Sequence, residues 1–498
     1  MKEEKDYYIG IDIGTSSLKC LVINSNGDCV GSSVKYYDTE NLAHGHAEQD
    51  PLNWYKSSVE AIRDVIYKNK INKTKVRCIG ICGTAHTSVL LNKFFEPIRP
   101  AILWCDQRSK KETNYLKIKY DNKIINKTLN EANCTWTLPQ ILWLKKNEPN
   151  SFKSIKHILV SKDYIVYRFT GELVADFSSA VSTLMVNAQT RQWDPFLVDL
   201  AGLSMDMFPS ILPPCSVVGC LSKQSAQELG LTKKVKVIAG SLDSAAELVG
   251  VGAIKPGDTM IRLGSAGGIM TITETAKAKH GCLTYPHPIK PYWYYQAGTN
   301  SCMTSLQWIQ KLLLDKNKLI SYSELEELVK QVPPGCDGLF FHPYLLGERA
   351  PYWNADARGS FVGLSINHNK SHFIRAVQEG IGFSLKDCLE LLEPLILKEI
   401  RISGGGAKNP ILSQIICDIF GIPIASFVLN DASTYGIALM AATTGTFNNI
   451  EQAVSSCVKK DVTIKPNIEH YQAYKKAFKV YQLISKELLP LYSSYWDF

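Results

Sequence analysis

The sequence predicts an α/β protein made of two similar lobes that hold a nucleotide between them. The first observation is a strand-like apolar run that passes through Asp12 into a turn of small residues, Gly14-Thr-Ser-Ser17. The second is a weaker copy in the other half of the chain, where Met260-Ile-Arg-Leu263 leads into Gly264-Ser-Ala-Gly267. The third is the length of 498 residues, more than one hydrophobic core ordinarily supports. Turns of this kind bring backbone N–H groups and hydroxyls close to phosphate oxygens.

Composition narrows the class of protein. A hydrophobic content of 45% and a charged content of 20% are typical of a globular chain. The net charge of +8 comes without an Arg-rich block, so we expect no nucleic-acid partner. No apolar run reaches the roughly 18 residues that a membrane-spanning helix needs, so we expect no association with a membrane. The 14 cysteines are scattered and the charged N-terminus is unlike a signal peptide, which together predict a cytoplasmic location.

The first lobe begins with three short apolar stretches, 7–13, 18–23 and 29–37, joined by tight turns. This pattern predicts an antiparallel meander. Asp50 followed by Pro51 is typical of a helix start, because Asp caps the first turn and proline fits its first position.

Buried parallel strands are predicted at 76–82 and 235–239, and the second of these leads to Asp243. The second lobe restarts with strands 259–263 and 268–272. We expect the first lobe to comprise residues 1–248 and the second lobe residues 249–498. The aromatic spacing from Tyr471 to Leu488 predicts a C-terminal packing helix.

Four sets of residues could carry chemistry. Phosphoryl transfer needs a carboxylate for a metal ion and donors for phosphate oxygens, which Asp12 and the turn after it could supply. A plain hairpin turn is the alternative. Asp243 lies where a strand gives way to a helix and could be either a helix cap or a general base.

The remaining two sets would bind the ends of the substrates. Gly404-Gly-Gly-Ala407 with Asn409 would permit close approach to an adenosine, or would form a loose turn. His86, Trp104 and Asp106 combine imidazole, aromatic face and carboxylate as sugar sites do, although a lone buried histidine is more often structural. No P-loop motif is present.

These pieces, in this order, resemble the FGGY family of carbohydrate kinases over essentially the whole chain. The motifs that carry the resemblance are Ile11-Asp-Ile-Gly-Thr-Ser-Ser17, Ala47-Glu-Gln-Asp-Pro51, Arg99-Pro-Ala-Ile-Leu-Trp104, Lys162-Asp-Tyr164, Gly240-Ser-Leu-Asp243, Pro343-Tyr-Leu-Leu-Gly-Glu-Arg349, Ile402-Ser-Gly-Gly-Gly-Ala407 and Tyr435-Gly-Ile-Ala438.

The resemblance implies the fold of the actin, Hsp70 and hexokinase superfamily, with two ribonuclease-H-like lobes around an ATP crevice. It implies ATP-dependent phosphorylation of a sugar hydroxyl with ATP and Mg²⁺ as cofactors, and it is compatible with a homodimer. The implied site residues are Asp243 and Asp12 for catalysis, Asp12 also for the metal; Ala85, His86, Trp104, Asp106 and Ser244 for the sugar; and Gly14, Thr15, Ser16, Lys19, Gly264, Ser265, Trp308, Gly405, Gly406 and Asn409 for ATP.

Within the family the chain is most similar to the xylulokinases, which favours a ketopentose such as D-xylulose, converted to its 5-phosphate. Five residues in three segments depart from their usual pattern, which has Gln-Met at Thr84-Ala85, Asn at Ser244 and Thr-Ser at Ser265-Ala266. A kinase for ribulose, gluconate or a heptulose therefore stays an alternative. So does a non-catalytic nucleotide-dependent binding protein on the same fold.

Overall fold

The computed structural model describes residues 5–40, 45–313, 321–392, 397–428 and 431–495, with side chains described as far as residue 492. Within these ranges the chain forms two large mixed sheets, each covered by helices.

The first half contains fifteen strands and nine α-helices among the described residues. The strands are β1 (Tyr7–Ile13), β2 (Ser17–Asn24), β3 (Cys29–Tyr36), β4 (Glu48–Gln49), β5 (Val76–Gly83), β6 (Ser88–Leu91), β7 (Ala101–Ile102), β8 (His157–Val160), β9 (Val174–Asp176), β10 (Val186–Asn187), β11 (Gln192–Trp193), β12 (Ser210–Leu212), β13 (Val217–Cys220), β14 (Lys236–Ile238) and β15 (Ser241–Leu242). The helices are α1 (Pro51–Lys68), α2 (Lys110–Thr128), α3 (Thr137–Asn147), α4 (Pro149–Ser154), α5 (Ser161–Thr170), α6 (Phe177–Val181), α7 (Pro195–Ala201), α8 (Lys223–Leu229) and α9 (Asp243–Gly250).

The second half adds a further nine strands and seven α-helices in the described ranges. The strands are β16 (Thr259–Leu263), β17 (Gly267–Thr273), β18 (Leu283–Pro286), β19 (Trp293–Thr299), β20 (Phe340–His342), β21 (Ser360–Val362), β22 (Ile400–Ser403), β23 (Ile424–Phe427) and β24 (Lys460–Ile464). The helices are α10 (Met303–Leu313), α11 (Tyr322–Lys330), α12 (Lys370–Leu392), α13 (Pro410–Phe420), α14 (Ala432–Ala442), α15 (Ile450–Cys457) and α16 (Ile468–Tyr495).

The two large sheets repeat one topology, which confirms the predicted α/β fold with two similar lobes. The first has the order β13-β14-β5-β1-β2-β3, with β15 also pairing to β5, and the second has the order β18-β19-β17-β16-β22-β23-β24. In each, an antiparallel meander is extended by parallel strands on its inner edge, β5 beside β1 and β22 beside β16. Asp12 and Arg262 occupy equivalent positions in the two copies, two residues before the glycine of each turn.

Local sequence chemistry explains the first helix as predicted. The Asp50 carboxylate accepts a hydrogen bond from the Leu52 backbone N–H at 2.9 Å, and Pro51 is the first helical residue. Trp54, Ile62 and Val65 lie on the buried face of α1, which packs on β2 and β3. The C-terminal helix α16 likewise buries Tyr474 and Tyr481 against the second lobe, as the aromatic spacing predicted.

The first lobe carries insertions that the second lacks in the described residues. A four-stranded sheet of order β4-β7-β6-β8 and the helices α2, α3, α4, α6 and α7 lie beyond the repeated topology. Their apolar core continues into the second lobe, because Trp136, Leu184 and Leu242 share one buried cluster with Met260 and Tyr294. The two lobes are thus joined by a shared core over part of their contact.

Helices α9 and α14 cross between the lobes at very close range. A Cβ atom on Gly436 would overlap the carbonyl oxygen of Ala246, and one on Gly250 would overlap that of Ala432. The same helix α14 lies against β1, where a Cβ on Gly10 would overlap the carbonyl of Thr434. Glycine at these three positions lets backbone pack directly on backbone.

None of the helices in the described part of the chain is both long and apolar enough to span a membrane.

We expect Gly436→Ala to lower the free energy of unfolding by about 3 kcal/mol, because the added methyl group has no space at the crossing of α9 and α14. Urea unfolding followed by circular dichroism measures the change. Gly219→Ala is the matched control, since its Cβ would make only ordinary contacts, at 3.8 Å from Glu172. Equal stability of the two variants would contradict this account of the crossing.

Candidate active site

Three carboxylates meet in the crevice where the first sheet faces α14. Asp12 lies at the end of β1, Asp243 begins α9, and Asp431 precedes α14 as its N-cap. Asp12 is 7% exposed. Its burial, followed by repulsion from Asp431 and Asp243, raises the pKa of Asp12 to about 7. The concentration of negative charge in a buried crevice suits a site that binds a cation.

Lys19 and Ser433 partly balance this charge across the lobes. Lys19 Nζ lies 2.6 Å from an oxygen of Asp431, and the Ser433 hydroxyl donates to Asp12 Oδ2 at 2.6 Å. Burial alone would raise the pKa of Asp431, but the contact with Lys19 outweighs burial and holds this pKa below its ordinary value. Lys19 therefore lies between the two lobes and close to the turn that follows Asp12.

Asp12 retains one oxygen that fits a magnesium ion. Its Oδ1 is buried and has no hydrogen-bond partner among the described residues. The described residues contain no cluster of three or more His, Cys, Asp or Glu side chains arranged as a complete metal site. This pattern suits Mg²⁺, which proteins commonly hold through one or two carboxylates together with water and substrate phosphates.

Asp243 lies inside the first turn of α9 and is not its N-cap. The residue that precedes α9 is Leu242, and Asp243 is the first residue of the helix itself. Its Oδ1 accepts the Ser244 backbone N–H at 2.7 Å, and 22% of its side chain is exposed to the crevice. The carboxylate is therefore oriented by the backbone yet open to a ligand.

Arg262 crosses from the second lobe to this carboxylate. Its Nη1 is 3.5 Å from Asp243 Oδ2, while its Nε and Nη2 contact Glu247 one turn further along α9. Ser403 donates to the other oxygen of Glu247 at 2.8 Å. Because Glu247 makes the closer contacts, Asp243 is held near a positive charge without being fully engaged by it.

The first turn, Gly14-Thr-Ser16, is tied to the predicted sugar residue Trp104. The indole Nε1 of Trp104 donates to the Thr15 hydroxyl at 2.9 Å. Gln49 donates to the Thr15 carbonyl at 2.6 Å, and Tyr37 donates to the Gly14 carbonyl at 2.6 Å. Ser16 is exposed at the tip of the turn. The backbone and the Thr15 side chain of the turn are thus held by hydrogen bonds, while Ser16 remains exposed.

The second turn and the glycine-rich segment lie side by side, although they are far apart in sequence. The carbonyl oxygens of Gly264 and exposed Ser265 accept backbone N–H groups from the start of α10, including Met303 at 3.0 Å. Gly406 packs so closely on Leu263 and Met303 that a side chain would not fit, whereas a Cβ on Gly405 would meet open space. Gly264 and Gly406 therefore both lie against Met303 at the start of α10.

Two predicted ATP residues have structural contacts of their own. Asn409 is fully buried and caps α13 by accepting the Leu412 N–H at 3.2 Å, while its Nδ2 has no partner among the described residues. Trp308 on α10 is half-buried and stacks on Phe341 with ring centres 5.9 Å apart. Asn409 has no exposed atom in this structure, and its role in binding adenosine stays a prediction.

His86, a predicted sugar-binding residue, packs against aromatic rings from both lobes. His86 Nε2 lies 2.6 Å from the hydroxyl of Tyr285, and the Trp136 ring packs edge-on against it at 4.1 Å. Burial, and then the charge of Arg349, lower the pKa of His86 to about 3, so the imidazole is neutral. Within hydrogen-bond distance, its Nδ1 has no partner among the described residues, and the nearby Ser182 backbone opposes the fall in its pKa.

The other predicted sugar residues differ in how available they are. Ala85 is half-buried beside His86. The Ser244 hydroxyl already pairs with the Tyr294 hydroxyl at 2.8 Å, and both side chains are buried. Asp106 is 1% exposed and accepts the Ala47 N–H at 2.7 Å and three N–H donors of Arg108. In this structure Asp106 therefore shapes the loop and offers no free oxygen to a sugar.

A buried lysine supports the chain segment that leads into Asp243. Lys162 is fully buried, contacts Asp163, lies 3.0 Å from Asp176 and donates to the Ala239 carbonyl at 2.8 Å. Asp176 in turn accepts the Ser178 N–H at 2.7 Å, and the Ser178 hydroxyl accepts the Leu242 N–H at 3.2 Å. This chain of contacts ends at the residue before Asp243.

Several residues of the crevice were not predicted as site residues from the sequence. Asp431 and Ser433 stand just before the Tyr435-Gly-Ile-Ala438 motif, and Arg262 lies inside the second strand-turn copy. Arg349 belongs to a motif that was noticed without a role. Their proximity to Asp12 and Asp243 could be suspected from these motifs, but only the packing of the lobes brings them together.

Comparison with known proteins gives a clear result. Residues 7–250 match the model of the FGGY family of carbohydrate kinases, N-terminal domain, and residues 259–445 match its C-terminal domain. The xylulose kinase of Bacillus subtilis strain 168 is 31% identical over 483 residues, covering 96% of each chain.

Two solved structures are similar over nearly the whole chain. The gluconate kinase from Lactobacillus acidophilus superposes with a TM-score of 0.93 at 28% identity, covering 99% of this chain and 100% of that one. The ligand-bound xylulose kinase from the same organism also gives 0.93 at 28% identity, covering 98% and 100%.

We expect Lys162→Met to lower the free energy of unfolding by about 3–5 kcal/mol, because it leaves Asp163 and Asp176 buried without a cation. Urea unfolding measures the loss. The control is Lys68→Met, whose exposed pair with Asp64 at 3.5 Å contributes about 0.5 kcal/mol or less. A Lys162 variant as stable as the control would show that the buried contacts are dispensable.

The buried carboxyl group of Glu348 should make the stability of the protein depend on pH, and Glu348→Gln should remove this dependence. Burial raises the pKa of Glu348 from 4.5 to about 7, so the folded protein retains a proton that the unfolded chain releases. The stabilisation is complete below pH 4.5 and is lost as pH rises through 7. The wild type should therefore lose about 3 kcal/mol relative to the glutamine variant over this interval.

The glutamine fits the same contacts, since one oxygen of Glu348 accepts two backbone N–H groups and the other pairs with the Thr299 hydroxyl at 2.6 Å. Urea unfolding at about pH 5 and about pH 8 tests the sign. Glu60→Gln, on the exposed face of α1, is the control. A difference that stays constant with pH would refute the assignment.

Proposed function

The chain belongs to the FGGY family of carbohydrate kinases and is an ATP-dependent sugar kinase, and we propose that its substrate is D-xylulose, phosphorylated at the 5-hydroxyl. The observation that carries the proposal is the position of Asp243, the first residue of α9, partly exposed and 3.5 Å from Arg262, which lies two residues before the second turn. The similarity to xylulose kinases over 96% of the chain supports a ketopentose.

Asp243 is the general base in this proposal. Its carboxylate takes the proton of the sugar hydroxyl as that oxygen attacks the γ-phosphorus of ATP, and the bond from phosphorus to the β,γ-bridging oxygen breaks to release ADP. The Ser244 N–H and Arg262 hold the carboxylate in position. Gly14 to Ser16 and Gly264 to Ser265 supply the surfaces for the phosphates, with Lys19 beside them.

Asp12 would hold Mg²⁺, directly or through water, with its unpartnered Oδ1. A bound Mg²⁺ supplies positive charge that offsets the charge of the phosphate oxygens. Lys19 and Asp431 link the first phosphate turn to α14, so the same residues that balance Asp12 also hold the lobes in register.

Gluconate is the second candidate substrate. It is favoured by the similarity to the gluconate kinase structure and by the pocket residues Thr84, Ala85 and Ser244, which depart from the xylulokinase pattern. Ser244 is already engaged by Tyr294, so it has less capacity to bind a sugar hydroxyl than a longer amide would have.

We also propose a cytoplasmic enzyme that is able to form a homodimer. All 14 cysteines have free thiols, which suits a reducing compartment. Sedimentation of the purified protein tests the oligomeric state.

Asp243→Asn should lower turnover by about 10²–10⁴-fold, because an amide does not accept the proton. ADP release from ATP and Mg²⁺ is measured with D-xylulose, D-ribulose, L-ribulose, gluconate and glycerol. Asp199→Asn, on the exposed end of α7, is the matched control and should retain wild-type turnover.

Near-normal turnover of Asp243→Asn would exclude Asp243 as the base. Strong activity with D-xylulose supports the proposed substrate, whereas silence on D-xylulose with activity on gluconate assigns the pocket to a sugar acid.

A further inference from the structure

Arg349 reaches the sugar pocket from the second lobe. Its guanidinium carbon lies 5.4 Å from the centre of the Trp104 ring, and Nη2 donates to the Thr299 carbonyl at 3.2 Å. Its Nε is buried and has no hydrogen-bond partner among the described residues. Gly298 leaves space for the guanidinium, since a Cβ there would lie 3.0 Å from Nη2. The side chain is therefore seated in a prepared position.

The charge of Arg349 has no carboxylate partner within ion-pair distance in the described ranges. The neighbouring Glu348 is turned away, with both oxygens engaged by Thr299 and by the backbone N–H groups of Asn300 and Arg349 itself. An enclosed guanidinium without a partner is costly. Such a group is well placed to receive an oxygen from a ligand.

The residues around Arg349 belong to the sugar side of the crevice. Its charge acts on His86 and Tyr285, which form the pocket wall, and on Arg262, which contacts Asp243. The neutral His86 does not compete with it for an anion. A sugar whose reacting hydroxyl faces Asp243 would thus present another of its oxygens to Arg349.

We propose that Arg349 is a substrate-binding residue that selects open-chain sugars bearing a carbonyl or carboxylate oxygen over polyols that lack one. This inference rests on the proposed function, because it concerns the acceptor in that reaction. A guanidinium only donates hydrogen bonds, and carbonyl and carboxylate oxygens are stronger acceptors than hydroxyls. The ketone of a ketose and the carboxylate of a sugar acid share this chemistry.

The test compares Arg349→Gln and Arg349→Lys with wild type on D-xylulose, D-gluconate and xylitol, a polyol matched in length to xylulose. Of D-xylulose and D-gluconate, the better substrate should exceed xylitol at least tenfold in kcat/KM with the wild type. Arg349→Gln should raise the KM of that acceptor by about tenfold or more, while the KM of ATP changes less than about twofold. Arg349→Lys should recover part of the loss.

The control is Arg63→Gln on the exposed face of α1, and thermal unfolding midpoints show whether each variant is folded. Preference for D-xylulose identifies the ketone as the bound group, and preference for D-gluconate identifies the carboxylate. An unchanged sugar KM, an equal fall in kcat with all three acceptors, or a raised KM for ATP would overturn the inference.

Failure of the proposed function is distinguishable from failure of this inference. If the wild type phosphorylates none of the three, calorimetric titration with the same sugars replaces turnover. Binding of D-xylulose or D-gluconate that is lost in Arg349→Gln then supports the role of Arg349, and binding that is absent or unaffected contradicts it.

Discussion

The backbone contact between α9 and α14 is the constraint on which the site depends. Gly250 and Gly436 allow the two helices to cross without intervening side chains. Asp243 begins the first helix and Asp431 caps the second, so their separation is set by the crossing. Asp12 joins them because β1 packs on α14 through Gly10. A larger residue at the crossing would therefore shift the carboxylates of the crevice without contacting them.

Charge in the crevice is balanced across the lobes and not within either one. Asp12 and Asp243 belong to the first lobe, but Ser433 and Arg262 reach them from the second. Lys19 makes the reciprocal contact with Asp431. Each lobe alone would leave charged groups without their partners, at considerable cost in free energy. The assembled crevice is therefore also part of what stabilises the fold.

The sequence predicted those features of the fold and the candidate site that depend on the pattern of residues within one short segment. The strand-turn copies, the cap at Asp50 and the position of Asp243 could be predicted, because periodicity and turn composition are properties of short segments. Partners such as Asp431 and Arg349 could not, since their roles arise from packing between distant segments. The sequence also did not reveal which residues of the motifs have structural contacts. The side chain of Asn409 caps a helix, and that of Asp106 pairs with Arg108.

The repeated topology places residues of opposite charge at equivalent positions, Asp12 in the first lobe and Arg262 in the second. Duplicated backbones thus form a crevice that is symmetric in shape but polar in electrostatics. The field runs from the guanidinium side to the carboxylate side, and a ligand with separated charges has one favourable direction within it. The two turns therefore present different charges to any ligand that reaches both of them.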